Sequence, residues 1–137
     1  MNPFAEDRPM ARILLIDDEE LVVKTVERLL KKMGYEVVCA RNDQEALKCA
    51  GQSEFDLVVS DIRMPGKNGV EIMMEIKRLW SSQGRNLAPV IFLTGFADNK
   101  TEEQAQALSP VAYMFKPFDA AKLLQVIGST LKRQPLQ

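Results

Sequence analysis

The sequence predicts a single α/β domain in which a parallel β-sheet lies between two layers of helices. The chain has 137 residues, close to the ~150 residues of a typical single domain. Short apolar runs alternate with segments of helical spacing along its whole length. The apolar runs are continuous rather than alternating, which is typical of strands covered by helices on both faces.

The first half of the chain supplies two strands and two helices. The first strand is residues 13–16, and the helix after it ends at Gly34. Its apolar stripe, at positions i, i+4, i+7, i+8 and i+11, consists of Val22, Val26, Leu29, Leu30 and Met33. Residues 37–40 are the second strand, and a weaker helix covers residues 43–51.

The second half repeats the alternation with strands at residues 55–59, 90–93 and 111–115. A short polar helix is predicted at residues 101–108, between the last two of these strands. The helix after the third strand carries the apolar residues Ile72, Met73, Ile76, Leu79 and Trp80. The last helix carries Leu123, Leu124, Ile127 and Leu131.

The composition restricts the chemistry that the chain can perform. Eighteen Lys and Arg residues against nineteen Asp and Glu residues leave a formal charge of −1, so no bulk charge favours nucleic acid or an anionic membrane. The chain contains no histidine, which excludes Ser-His-Asp catalysis, Cys-His catalysis and His-ligated zinc. Carboxylates, lysines, hydroxyls or a hard metal ion must therefore carry any chemistry near neutral pH.

The cysteines and the chain termini indicate a cytoplasmic protein. Cys39 and Cys49 form no C-x-x-C pair, and we predict that both are small buried hydrophobes in a reducing compartment. Residues 1–12 lack the apolar core of a signal peptide, and no apolar run approaches the ~18 residues of a membrane span.

One domain is expected over residues 11–133, between a flexible arm at residues 1–10 and a tail at residues 134–137. We predict a doubly wound (βα)₅ sandwich with the strand order 2-1-3-4-5. Ligands of such sheets bind beyond the carboxyl ends of the strands, where the strand order reverses.

Reactive side chains follow the four adjacent strands of this order. They are Asp17, Asp18, Glu19 and Glu20 after the first strand, Asp61 after the third, Thr94 and Gly95 at the fourth, and Lys116 and Pro117 after the fifth. Three of these five carboxylates, a hydroxyl and an ammonium group should therefore meet in one cleft. Such carboxylates repel one another unless a cation intervenes, and oxygen ligands alone select Mg²⁺ or Mn²⁺.

Four motifs at these strand ends resemble those of the receiver domains of two-component response regulators, which have a flavodoxin-like fold. The resemblance covers about residues 10–133. The motifs are Ile16-Asp17-Asp18-Glu19, Ser60-Asp61-Ile62-Arg63-Met64-Pro65-Gly66, Leu93-Thr94-Gly95 and Phe115-Lys116-Pro117-Phe118. Each motif is weak alone, but all four in order at the correct strand ends are highly specific.

The resemblance implies a signalling phosphoacceptor rather than an enzyme with a turnover substrate. Asp61 is the implied acceptor, taking a phosphoryl group from a phosphohistidine on a histidine kinase or a histidine phosphotransfer protein. Asp18 is the implied direct Mg²⁺ ligand, Asp17 acts mainly through a metal-bound water, and Arg63 ligates through its backbone carbonyl. Mn²⁺ is an acceptable substitute. Lys116 would pair with the phosphoryl group, positioned by a cis bond to the next residue.

The resemblance also implies a conformational switch. Thr94 would move toward the phosphoryl oxygen while the Tyr113 ring turns inward, which changes the face formed by the fourth helix, fifth strand and fifth helix. That face would control an output protein or domain. Pro65, Gly95 and Pro117 are expected to be structural at the site. We expect no direct contact with nucleic acid or membrane, and a monomer or weak dimer.

Three alternative functions fit the residues less well. A magnesium-dependent phosphatase of the haloacid-dehalogenase type needs a second Asp two residues after its nucleophile, where this chain has Arg63. A flavin or nucleotide module needs a phosphate-binding loop after the first strand, where this chain has four acids. A receiver that acts only as a docking module typically lacks an acid or the lysine.

Overall fold

The computed structural model describes residues 10–95 and 98–132, and five strands alternate with five helices in this part of the chain. The strands are β1 (Arg12–Ile16), β2 (Glu36–Ala40), β3 (Leu57–Asp61), β4 (Val90–Thr94) and β5 (Ala112–Phe115). The helices are α1 (Glu20–Lys32), α2 (Asp43–Gln52), α3 (Gly69–Ser82), α4 (Asn99–Gln106) and α5 (Ala120–Lys132). The predicted tail, and the predicted arm apart from Met10, lie outside the described residues.

The five strands form one parallel sheet in the order β2-β1-β3-β4-β5, which confirms the predicted topology. In its register Ile16 lies beside Ser60, so the residues after β1 come next to the end of β3. The ladder continues past β5, where the Lys116 backbone N–H donates to the Thr94 carbonyl over 2.7 Å. The residues that follow β1, β3, β4 and β5 therefore lie together at one edge of the sheet.

The core has two layers because successive strand residues point to opposite faces of the sheet. Leu14, Val58 and Phe92 face the layer that contains α2, α3 and α4. Leu15 and Val59 face the layer that contains α1 and α5. The continuous apolar runs in the sequence thus reflect a sheet that is buried on both sides. None of the helices in residues 10–95 and 98–132 is long and apolar enough to cross a membrane.

Four of the helices begin with a side chain that accepts a hydrogen bond from the first turn. The capping residues are Asn42 of α2, Asn68 of α3, Asp98 of α4 and Asp119 of α5. Glu19 occupies the same position at α1, but its side chain makes no capping hydrogen bond. The Glu19 carboxylate is therefore available for another contact.

Some details differ from the sequence prediction. Helix α4 spans Asn99–Gln106, two residues before the predicted helix at residues 101–108. The third strand begins at Leu57 and includes Asp61, whereas we predicted a strand over residues 55–59. Phe55 is buried against the core from the preceding loop, so its apolar character reflects packing rather than strand structure. The prediction that Cys39 and Cys49 are buried is also wrong, because both side chains are half-buried. Burial still raises the pKa of the Cys39 thiol to about 11, which keeps it protonated.

Candidate functional site

The carboxyl edge of the sheet brings together four of the predicted site residues. Asp17 follows β1, Asp61 and Thr94 end β3 and β4, and Lys116 follows β5. Thr94 is 0% exposed. Asp17 is also 0% exposed and Asp61 is 2% exposed, and such burial is unusual for carboxylates in a folded protein. Buried charges require partners, so the contacts of these carboxylates determine what the site can bind.

Lys116 lies at the centre of this cluster. Its Nζ is 2.7 Å from Glu19 Oε1, 3.2 Å from Asp17 Oδ2 and 3.3 Å from Asp61 Oδ2. The Glu19 backbone N–H donates to the other Asp17 oxygen, Oδ1, over 2.9 Å. One ammonium group therefore faces three carboxylates, and the cluster retains a surplus of negative charge.

The surplus charge and the burial change the acidities of the site. Burial, with the nearby charge of Asp17, raises the pKa of Asp61 from 3.8 to about 6. Burial also raises the pKa of Asp17, although a backbone N–H and Lys116 oppose it. Burial disfavours the charged form of Lys116, but the hydrogen bond to Glu19 and the charges of both aspartates outweigh it and raise the Lys116 pKa. A further cation would favour the ionised form of both aspartates.

The geometry of the carboxylates fits such a cation. One oxygen from each of Asp17, Glu19 and Asp61 lies within 4.8 Å of the other two. Asp61 Oδ1 is buried, and it has no hydrogen-bond partner in the described part of the chain. An unpartnered buried oxygen beside two further carboxylates is a donor set that Mg²⁺ or Mn²⁺ prefers.

The geometry adds Glu19 to the carboxylates that can reach a metal ion. The three carboxylates that converge are those of Asp17, Glu19 and Asp61, and the direct-ligand role of Asp18 stays a prediction. The run of four acids after β1 is a signal for the site. It does not show which acids point into the cleft, because that depends on how the chain turns into α1.

The loop after β3 contains the residues predicted to flank Asp61. Arg63 is exposed two residues beyond Asp61, and its backbone carbonyl is the group that the resemblance assigns to the metal. Pro65 precedes Gly66, whose φ of +78° is a left-handed conformation that glycine adopts without strain. Gly95 is exposed directly after Thr94. The Lys116–Pro117 peptide bond is cis, as the resemblance implied.

Gly69, the first residue of α3, is a site residue that the sequence analysis missed. A Cβ atom at this position would lie 1.9 Å from the Asp61 carbonyl oxygen and 2.8 Å from Ser60 Oγ. The Gly69 backbone N–H donates to the Ile62 carbonyl over 2.8 Å. The start of α3 thus packs directly on the backbone of Asp61, and only a residue without a side chain fits there.

Tyr113 lies on β5 beside this edge. Its ring packs between Phe92, at a centroid distance of 6.5 Å, and Phe115, at 5.4 Å. The Tyr113 hydroxyl is buried without a hydrogen-bond partner among the described residues. Burial raises the Tyr113 pKa, with smaller contributions from the charges of Glu102 and Asp98.

Replacing Tyr113 with phenylalanine is therefore expected to stabilise the protein by about 1 kcal/mol, because a buried hydroxyl without a partner is removed. Urea unfolding of the wild type and the Tyr113→Phe variant measures the difference. Tyr35→Phe is the matched control, since Tyr35 has no buried unpartnered hydroxyl. A Tyr113→Phe variant that is less stable than the wild type would show that the hydroxyl has a partner.

Comparisons with known proteins identify the family to which the chain is similar. The family model "Response regulator receiver domain" matches residues 13–128. The chain is 32% identical over 126 residues to the probable transcriptional regulator ycf29 of Pyropia yezoensis, covering 92% of this chain and 55% of that relative. It thus spans about half the length of this curated relative.

Solved structures show the same fold. A CheY-like receiver domain protein of Methanospirillum hungatei JF-1 superposes with a TM-score of 0.81 at 27% identity, covering 90% of this chain and 94% of that one. A response regulator protein of Burkholderia pseudomallei, solved with a phosphorylated aspartic acid, a calcium ion and citrate, gives a TM-score of 0.74 at 29% identity. It covers 89% of this chain and 69% of that one. With its predicted fold and topology confirmed, the chain belongs to the response regulator receiver domain family.

Proposed function

We propose that Asp61 accepts a phosphoryl group and that the domain passes this signal to an output partner. The observation that carries the proposal is the position of Asp61. Its carboxylate is buried at the end of β3, 3.3 Å from Lys116 Nζ, with one oxygen unpartnered among the described residues. A nucleophilic carboxylate beside a fixed cation is suited to phosphoryl transfer. The Burkholderia pseudomallei relative, which carries a phosphorylated aspartic acid, supports this assignment.

A divalent cation, Mg²⁺ or Mn²⁺, would neutralise the charge on the transferring phosphoryl group. Asp17, Asp61 and the Arg63 backbone carbonyl would hold it. Asp18 keeps the role of direct ligand that the resemblance gives it, and the geometry adds Glu19 as a carboxylate within reach. The calcium ion in the Burkholderia pseudomallei relative supports a cation requirement.

Phosphoryl transfer forms a P–O bond to Asp61 as the bond from phosphorus to the donor breaks. An Asp61 carboxylate oxygen attacks the phosphorus of a phosphohistidine, the P–N bond breaks, and the imidazole leaves with the electron pair and takes up a proton. With acetyl phosphate the P–O bond breaks instead and acetate leaves. Lys116 and the Thr94 hydroxyl contact phosphoryl oxygens. Since the chain has no histidine, the phosphohistidine comes from a histidine kinase or a histidine phosphotransfer protein.

The position of Thr94 beside Phe115 of β5 supports the proposed switch. Movement of the Thr94 side chain toward the phosphoryl group would leave space that the Tyr113 ring can fill. The ring already lies against Phe92 and Phe115, so its inward turn would change the face formed by α4, β5 and α5. We propose that this face regulates an output protein or domain in the cytoplasm.

Labelling with acetyl phosphate and Mg²⁺ tests the proposal, with intact-mass spectrometry as the readout. We expect one phosphoryl group on the wild type, none on Asp61→Asn, and strong suppression by EDTA. Asp56→Asn is the matched control, because it makes the same change just before the opposite end of β3.

Labelling of Asp61→Asn at the wild-type level would disprove Asp61 as the acceptor. Repeated turnover of a general phosphoester would favour the phosphatase alternative instead.

A further inference from the structure

The shortest contact of Lys116 is with Glu19, which is the most exposed of its three carboxylate partners. Glu19 Oε1 is 2.7 Å from Lys116 Nζ, but the Glu19 side chain is 57% exposed. Asp17 and Asp61 are almost fully buried and lie farther from Nζ, at 3.2 and 3.3 Å. An ammonium group has three N–H donors, and Lys116 donates hydrogen bonds to Glu19 and Asp17 while it lies within ion-pair distance of Asp61. A phosphoryl oxygen that approaches Lys116 must therefore compete with these carboxylates for its donors.

The Glu19 side chain is directed at Lys116 rather than at its own helix. Residues at the same position of α2, α3 and α4 cap their helices with side-chain hydrogen bonds, and Glu19 does not cap α1. The Glu19 backbone N–H donates a hydrogen bond to Asp17 Oδ1. Glu19 thus connects the start of α1 to both the acidic cluster and the lysine.

We propose that Glu19 is a positioning residue that competes with the phosphoryl group for Lys116 and so limits phosphorylation of Asp61. This inference rests on the proposed function. Of the three carboxylates, Glu19 is the one that can regain water when Lys116 leaves it, because it is exposed. It is therefore the contact that breaks when the phosphoryl group arrives, and breaking it opposes the transfer.

The Glu19→Gln variant tests the inference, because glutamine keeps the shape of the side chain but not its charge. The rate of labelling by acetyl phosphate and the affinity for beryllofluoride are measured at saturating Mg²⁺, which removes any difference in cation affinity. We expect both to increase about two- to five-fold, the range for a largely exposed ion pair. The increase should shrink at high salt, which screens exposed charges and would not affect a merely structural role.

Glu20→Gln is the matched control. Glu20 is the next residue, equally acidic and exposed, and it pairs with Lys24 at 2.9 Å instead of Lys116. We expect its labelling rate to equal that of the wild type.

An unchanged or slower Glu19→Gln variant, or an equal increase for Glu20→Gln, would overturn the role of Glu19 while the labelled wild type still supports the proposed function. A wild type that is not labelled at all would overturn both.

Discussion

Replacing Gly69 with alanine is expected to lower the free energy of unfolding by about 1–3 kcal/mol and to slow the labelling of Asp61 at least about ten-fold. The new Cβ would lie 1.9 Å from the Asp61 carbonyl oxygen, so α3 or the end of β3 must move. Nucleophiles displaced by about 1 Å lose much of their rate. Urea unfolding and the initial rate of labelling by acetyl phosphate measure the two effects.

Gly128→Ala is the control for this substitution. Gly128 lies within α5, and a Cβ atom there would contact nothing within 4 Å. Alanine is favoured over glycine in a helix, so this variant should be more stable by about 0.5–1 kcal/mol. A Gly69→Ala variant with wild-type stability and labelling would show that the start of α3 does not pack on Asp61 as described.

The Asp61→Asn variant is expected to be more stable than the wild type by about 1–3 kcal/mol at pH 7 in the absence of divalent cations. The folded-state pKa of Asp61 is raised from 3.8 to about 6, so folding favours the protonated form. The stability that this group contributes is therefore present below pH ~4 and is lost as the pH rises through ~6. A rise of the Asp61 pKa from 3.8 to about 6 corresponds to roughly 3 kcal/mol, which sets the upper limit of the gain.

Urea unfolding of Asp61→Asn and the wild type between pH 4 and pH 7.5 measures this difference. We expect the two curves to converge near pH 4 and to separate as the pH rises through the Asp61 pKa. Asp56→Asn serves again as the control and should show no gain. A constant difference across the pH range would mean that the titration of Asp61 is not its cause.

The sequence was sufficient to predict the sheet because its signals are local. Continuous apolar runs mark strands that are buried on both faces, and the four motifs lie at the ends of adjacent strands. The contact of Glu19 with Lys116 and the need for Gly69 were missed because both depend on contacts across the fold. Glu19 meets a lysine 97 positions away in the chain, and Gly69 is needed for space rather than for a left-handed backbone.

The bounds of strand β3 and the burial of the cysteines also depend on packing that local sequence signals do not predict. Phe55 is as apolar as a strand residue, but it enters the core from a loop. Cys39 lies on β2, which is an edge strand of the described sheet, so it loses less solvent contact than its apolar neighbours in the chain suggest. Hydropathy predicts that a residue prefers the interior, but the packing of the whole sheet decides how far it is covered.

The contacts of the Lys116 ammonium group bear on whether the protein can fold before it binds a metal ion. Because the chain supplies its own counterion to Asp17 and Asp61, the acidic cluster can assemble in the absence of a metal. Folding and the proposed metal binding would then be separate events, unlike in domains that fold only around their ion. A newly made chain should reach its native shape independently of the magnesium supply, and the proposed ion would act as a reagent rather than as part of the scaffold.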